Sequence, residues 1–151
     1  MVSVRFVMKA EFLENQNWAR YHQIDEQAIT KNEELLGKIF PKSYKILMQK
    51  YSGGTSKLCM FKAANYPYEL SIDGFMSLQG GGVFTSNIGN YYSEMHYEFA
   101  NPIENMSRDL IIFGGEGCGD YICFDYRKNQ KTDNPPIVYW KHDAEPGKDV
   151  F

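Results

Sequence analysis

LIIFGGEGCGDYICFDYRKNQKTDNPPIVYW, residues 110–140, carries three short apolar runs set apart by turn-forming residues. Leu110–Phe113, Tyr121–Phe124 and Ile137–Trp140 are rich in β-branched and aromatic side chains and too short for helices, so they read as strands. One separator, Gly114–Asp120, is rich in glycine; the other, Asp125–Pro136, is charged and ends in two prolines. Strands joined in this way predict a meandering antiparallel sheet. The pattern extends upstream through candidate strands Leu58–Phe61, Glu69–Ile72 and Phe75–Ser77, which precede Gly80-Gly81-Gly82. Between that glycine run and Leu110, the segment from Asn87 to Tyr97 is marked by Tyr91, Tyr92, His96 and Tyr97 and takes no firm period.

The first third has a different period. Asp25 can accept bonds from the free N–H groups of a first helical turn, and Glu26 suits the positive end of the helix dipole. Ile29, Leu36, Ile39 and Phe40 then form an apolar stripe at near-helical spacing, interleaved with Lys31, Asn32, Glu33, Glu34 and Lys38. Pro41 is expected to end that helix and to occupy an early position of the next, where its missing N–H costs nothing. Tyr44, Leu47, Met48 and Tyr51 repeat at i, i+3, i+4 and i+7, and Gly53-Gly54 supplies a left-handed stop. Helices followed by strands, with no repeat and no dividing linker, predict one α+β domain over residues 1–151.

At 151 residues, 43% of them hydrophobic and 15% aromatic, the chain can bury a single core without disulfides or a structural metal. The net charge of −3 is unevenly spread. Residues 1–50 hold eight basic and six acidic residues, or +2; residues 51–126 hold three and nine, or −6; residues 127–151 hold five and four, or +1. So acidic a middle argues against a phosphate backbone there and would suit a basic partner, although ordinary solubilising charge gives the same count. Cys59, Cys118 and Cys123 cannot all pair and are expected as free thiols in a reducing compartment. Neither a cleavable leader nor a membrane-length apolar run is present in the sequence, and the expectation is a soluble cytoplasmic protein without membrane association.

Several chemistries fail on residue types. Gly114–Asp120 lacks the Lys and Ser/Thr of a phosphate-binding loop, holds two acids and leads into a strand, so it reads as a hairpin loop with glycines at positive φ. Cys118, Cys123 and His142 fall short of the four ligands of a structural zinc site, and no metal or other cofactor is expected. Neither a nucleophile elbow nor a metalloprotease pair is present, and His142 and Asp143, adjacent on an extended segment, point apart; no catalytic residue is assigned. The tyrosines are interleaved with acids, not bases, which disfavours stacking on single-stranded nucleic acid.

The run from Ile39 through Pro41, Tyr44 and Leu47 to Tyr51-Ser52-Gly53-Gly54 resembles the "LP-x-s/d-Y-k-x-(F/L)-L … G-G" segment of the SMI1/KNR4 family, also called the SUKH superfamily. Leu110–Gly114, Gly117–Asp125 and Ile137–Trp140 resemble its succession "l-i-p-F-g … g-G-D-x-i-c-f-D … p-V-v-x-W". The likeness spans about Ile24 to His142. Family members usually continue past the tryptophan strand into a C-terminal helix, whereas here Asp149-Val150-Phe151 stand where it would begin. The resemblance implies helices packed on a bent antiparallel sheet and a non-catalytic, protein-binding role. Bacterial members are commonly immunity proteins that bind a cognate polymorphic toxin, often a nuclease or deaminase; fungal members regulate cell-wall synthesis by contacting other proteins. On the immunity expectation, an acidic face would occlude a basic toxin domain, with Glu116, Asp120 and Asp125 as charged contacts and Tyr91, Tyr92 and Tyr126 as anchors. Asp120 and Asp125 have a second expected role, in fixing turns through side-chain-to-backbone bonds. The alternative function is a regulatory or scaffolding protein that contacts cellular enzymes.

Overall fold

A computed structural model describes residues 24–51, 60–62, 66–72, 74–76, 78, 106–115, 118–145 and 147–150. Two helices, α1 (Glu26–Leu36) and α2 (Lys42–Tyr51), precede six strands: β1 (Met60–Lys62), β2 (Glu69–Ser71), β3 (Gly74–Phe75), β4 (Leu110–Gly115), β5 (Tyr121–Asp125) and β6 (Ile137–Trp140). β1 and β2 form an antiparallel pair, and β3-β4-β5-β6 form a second sheet in that order, antiparallel throughout. The expected α+β class with a meander over residues 110–140 is therefore borne out.

Asp25 caps α1 as expected, its carboxylate accepting from the Ala28 N–H at 2.8 Å. The helix stops earlier than the apolar stripe implied. Gly37, at φ 64°, turns the chain into the left-handed region, and its N–H and that of Lys38 satisfy the carbonyls of Glu34 and Glu33. Pro41 thus stands directly before α2, its carbonyl accepting from the Lys45 N–H at 3.0 Å, instead of ending α1. The early stop re-sorts the side chains: Phe40 is buried but Ile39 is 41% exposed, and Asn32 and Lys38, interleaved with the stripe in the sequence, are buried. Asn32 lies inside because its amide donates to the carbonyls of Ala28 and Leu78, tying α1 to the chain beyond β3.

Helix α2 sits on the sheet through aromatic rings. Phe113 of β4 and Phe124 of β5 stack with centroids 4.1 Å apart, and the edge of Tyr44 meets both, at 5.8 and 5.1 Å. Phe75 stacks on Phe113 from β3, and Phe40 meets Tyr44 edge-on. Edge-to-face and offset contacts suit the ring quadrupoles and add to the gain from burial. The Tyr44 hydroxyl, its pKa raised by burial and by the nearby Tyr126, stays protonated and donates to the Met76 carbonyl.

β4 runs two residues beyond the expected Phe113, with a bulge between Ile112 and Gly114. Glycine at 114 permits this, since a Cβ there would lie 2.6 Å from Ile72 Cδ1 and 3.1 Å from the Gly74 carbonyl oxygen, where β3 closes on β4. Gly114 and Gly115 are strand residues; of the described glycines between Gly114 and Asp120, positive φ belongs to Gly119, at 96°. Beyond β6 the chain turns back, so that Val150 bridges Trp140, and the Asp149 carboxylate accepts from the Trp140 indole N–H at 2.9 Å. The expected stop at Gly53-Gly54, the Gly80–Gly82 run and the Asn87–Tyr97 segment lie outside the described residues.

Candidate functional site

The Tyr121↔Trp140 pairing sets the residue before β5 beside the residues after β6. There Asp120, only 5% exposed, closes the sheet's end. One carboxylate oxygen accepts from the Tyr139 hydroxyl at 2.6 Å; the other accepts from the His142 backbone N–H at 3.0 Å and meets His142 Nδ1 at 2.7 Å. Burial alone would raise the Asp120 carboxyl, but the bonds from Tyr139 and His142 outweigh it, so the group titrates below its ordinary range. An ionised carboxylate only accepts, so His142 Nδ1, on a ring that is half exposed, carries the proton of that contact.

At the other end of β5, Asp125 makes a similar closure. Its carboxylate accepts from the Arg127 backbone N–H at 3.0 Å, Nε at 2.9 Å and Nη2 at 2.8 Å, a two-point grip that fixes the first turn of the 126–136 loop. Here too burial pushes the carboxyl up, and the Arg127 bonds, with the charges of Arg127 and Lys128, bring it below the usual value. Tyr126 is fully buried: its hydroxyl donates to the Ile39 carbonyl, its N–H donates to the Asp109 carbonyl at 2.8 Å, and Lys38 Nζ lies 5.7 Å from its ring centroid.

Of the six residues expected to face a partner, Asp120, Asp125 and Tyr126 are thus placed inside, where they fix turns and join segments. Glu116, Tyr91 and Tyr92 lie outside the described residues. Sequence reasoning missed the partners Tyr139, His142 and Arg127. Arg127, two residues beyond Asp125, has the spacing of an Asx-type turn and could have been found; Tyr139 and His142 become visible only once the β5–β6 register is known. The acidic excess of residues 51–126 also looks different in space. Three of its four described acids meet a cation: Glu69 meets Lys62 at 4.0 Å, Asp109 meets Lys38 at 2.7 Å and Asp125 meets Arg127, while Asp120 takes its bonds from Tyr139 and His142.

The Asp120–His142 pair has the geometry of an imidazole oriented by a buried carboxylate, and the orienting acid is Asp120, not the adjacent Asp143. General-base chemistry would further need a nucleophile on Nε2; among the described residues no hydroxyl or thiol makes that bond. Asp120, His142 and Asp143 each have a ligand atom within a 4.8 Å group. A cation there would compete with the bonds that already occupy both Asp120 oxygens, and the Asp143 carboxylate pairs with Lys141 at 3.3 Å. Cys123 is buried in β5 and serves as a small apolar residue, burial pushing its thiol pKa up.

Two lowered carboxyls make the fold acid-sensitive in a defined direction. A carboxyl that titrates lower when folded contributes stability at pH values above its unfolded pKa, and that stability is lost as pH falls through the folded value. Urea midpoints should therefore hold steady between pH 7 and 5 and fall below about pH 4. In the Asp120→Asn, Asp125→Asn double variant this fall should be shallower; an unchanged acid limb would show that other carboxyls carry it.

Among the described residues no helix is long and apolar enough to cross a membrane. No curated protein and no solved structure matches the chain. A family model does match, and it covers residues 23–151, the helix pair and both sheets together. The α+β order, the helix–proline–helix entry and the Asp-closed β5 strand all fall inside that match, and the chain belongs to the SMI1/KNR4 family (SUKH-1).

Proposed function

We propose that this protein is a non-catalytic binding module of the immunity type, which acts in the cytoplasm by seating on a cognate toxin domain of nuclease or deaminase class and occluding its active surface. Family membership over residues 23–151 is the observation that carries this proposal. The site geometry is consistent with it: the titratable groups at both ends of β5 hold turns together, a task that suits a rigid scaffold. A toxin that handles nucleic acid is basic along its substrate groove. Glu116, Tyr91 and Tyr92 stand as the proposed contacts to that groove.

The test is co-expression with the product of the neighbouring gene. If the chain is an immunity protein, its expression restores growth to cells making the toxin domain, and the two co-purify as a stoichiometric complex. A toxin domain that stays lethal and elutes alone would overturn the proposal and favour a regulatory role among cellular enzymes.

A further inference from the structure

The linker between α1 and α2 holds an apolar side chain out of the core by fixing the backbone around it. Lys38 and Phe40 flank Ile39 and are both buried, while Ile39 is 41% exposed. The Lys38 N–H donates to the Glu33 carbonyl at 3.1 Å, the Phe40 N–H donates to the Glu33 carboxylate at 2.6 Å, and the Ile39 carbonyl accepts from the buried Tyr126 hydroxyl. A lone exposed isoleucine is ordinary. One whose backbone is tied on both sides loses little further freedom when a partner covers it, which lowers the entropic cost of association.

Bonds also set what surrounds it. Lys38 Nζ and Gln130 Nε2 converge on the Asp109 carboxylate, at 2.7 and 3.1 Å, so residues 38–39, 107–109 and 126–130 meet there. That arrangement consumes the negative charge of Asp109, just as Arg127 consumes that of Asp125. On these segments or directly after them, Arg108, Lys128 and Lys131 are exposed and form no ion pair among the described residues, against the exposed acids Asp133 in the same loop and Glu34 in the last turn of α1. An apolar centre inside a charged rim is the anatomy of a protein interface, and the rim's sign selects the partner. Nucleic acid fits less well, because a phosphate backbone offers Ile39 no apolar pocket.

We propose that Ile39, rimmed by Arg108, Lys128 and Lys131, is a docking surface for an acidic protein patch with an apolar pocket. This rests on the toxin-binding proposal and refines it: a basic rim is repelled by a basic groove, so this surface seats on the toxin beside the groove. The experiment titrates the full-length chain against the toxin domain encoded by the neighbouring gene, by calorimetry at low and moderate salt. Ile39→Ser should weaken binding about tenfold at either salt, and the Lys128→Glu, Lys131→Glu double variant should weaken it at least as much and flatten the salt dependence. All three positions are exposed enough that melting temperatures should stay at the wild-type value, which separates lost contact from lost fold. If wild type and both variants bind the toxin equally, the docking surface is overturned while the toxin-binding proposal stands; if wild type fails to bind, both fall. Tighter binding of the wild type to a single-stranded 20-mer than to the toxin, lost in the lysine variant, would overturn the surface as a protein site.

Discussion

Replacing Phe124 with alanine is expected to destabilise the fold by about 4 kcal/mol, the upper part of the range for deleting a buried aromatic. Phe124 is 2% exposed and lies where three elements meet: it stacks on Phe113 of β4, receives the edge of Tyr44 from α2 and lies 6.4 Å from Phe40 of the linker. Alanine removes the ring from all of these at once. The cavity cannot close easily, because the neighbouring rings are fixed by the β4–β5 register and by the Tyr44 bond to Met76. Phe124→Leu, which fills most of the space, should cost about half as much. Urea unfolding followed by tyrosine and tryptophan fluorescence measures both. A cost below about 1.5 kcal/mol for the alanine variant would mean that α2 does not depend on this ring for its seat.

Asp120→Ala is expected to cost about 3 kcal/mol, because it withdraws a charged acceptor from a buried hydroxyl and from the backbone of the β6 exit in one step. The geometry separates the contributions. Tyr139→Phe deletes the 2.6 Å bond and leaves the carboxylate on His142, and it should cost about 1 kcal/mol. His142→Ala retains the backbone bond and, on a half-exposed ring, should cost less. Since Asp120 and Tyr139 share one bond, the double variant Asp120→Ala, Tyr139→Phe should be less destabilised than the sum of the singles. Strict additivity would show that the two groups do not act on each other in solution.

These two variants lie in the part of the chain that the sequence describes best, yet only one of them could have been chosen from it. Phe124 is legible: the run Tyr121–Phe124 reads as a buried strand, and an aromatic in its middle belongs in the core. Asp120 reads equally well as a surface charge or a turn residue, because its environment is supplied by Tyr139 and His142 from the far side of a hairpin. The helix boundary shows the same limit on a smaller scale. Near-helical spacing carries through Ile39 and Phe40, but Gly37 offers a left-handed stop that the stripe alone does not reveal, and one turn of difference puts Ile39 outside and Lys38 inside.

Charge was the least transferable quantity. Counting along residues 51–126 gives −6, but Asp109 spends its charge on Lys38 from the first segment and Asp125 on Arg127 from the last, across boundaries the count had drawn. Coulomb energy depends on distance in space, and folding rearranges which charges are neighbours.

What the amino-acid order determined by itself is local or periodic: the Asp25 cap, the two helices, the strand positions over residues 110–140, the α+β class and the family. Each follows from side-chain period, capping chemistry or turn propensity within a few residues. The tertiary structure alone decided which polar groups are consumed by the fold and which are left for a partner. Most burial and pairing is set by contacts between segments far apart in the chain: Asp120 and Tyr126 went inside because the β5–β6 hairpin and the α1–α2 linker brought them partners there, whereas Asp125 is held locally by Arg127.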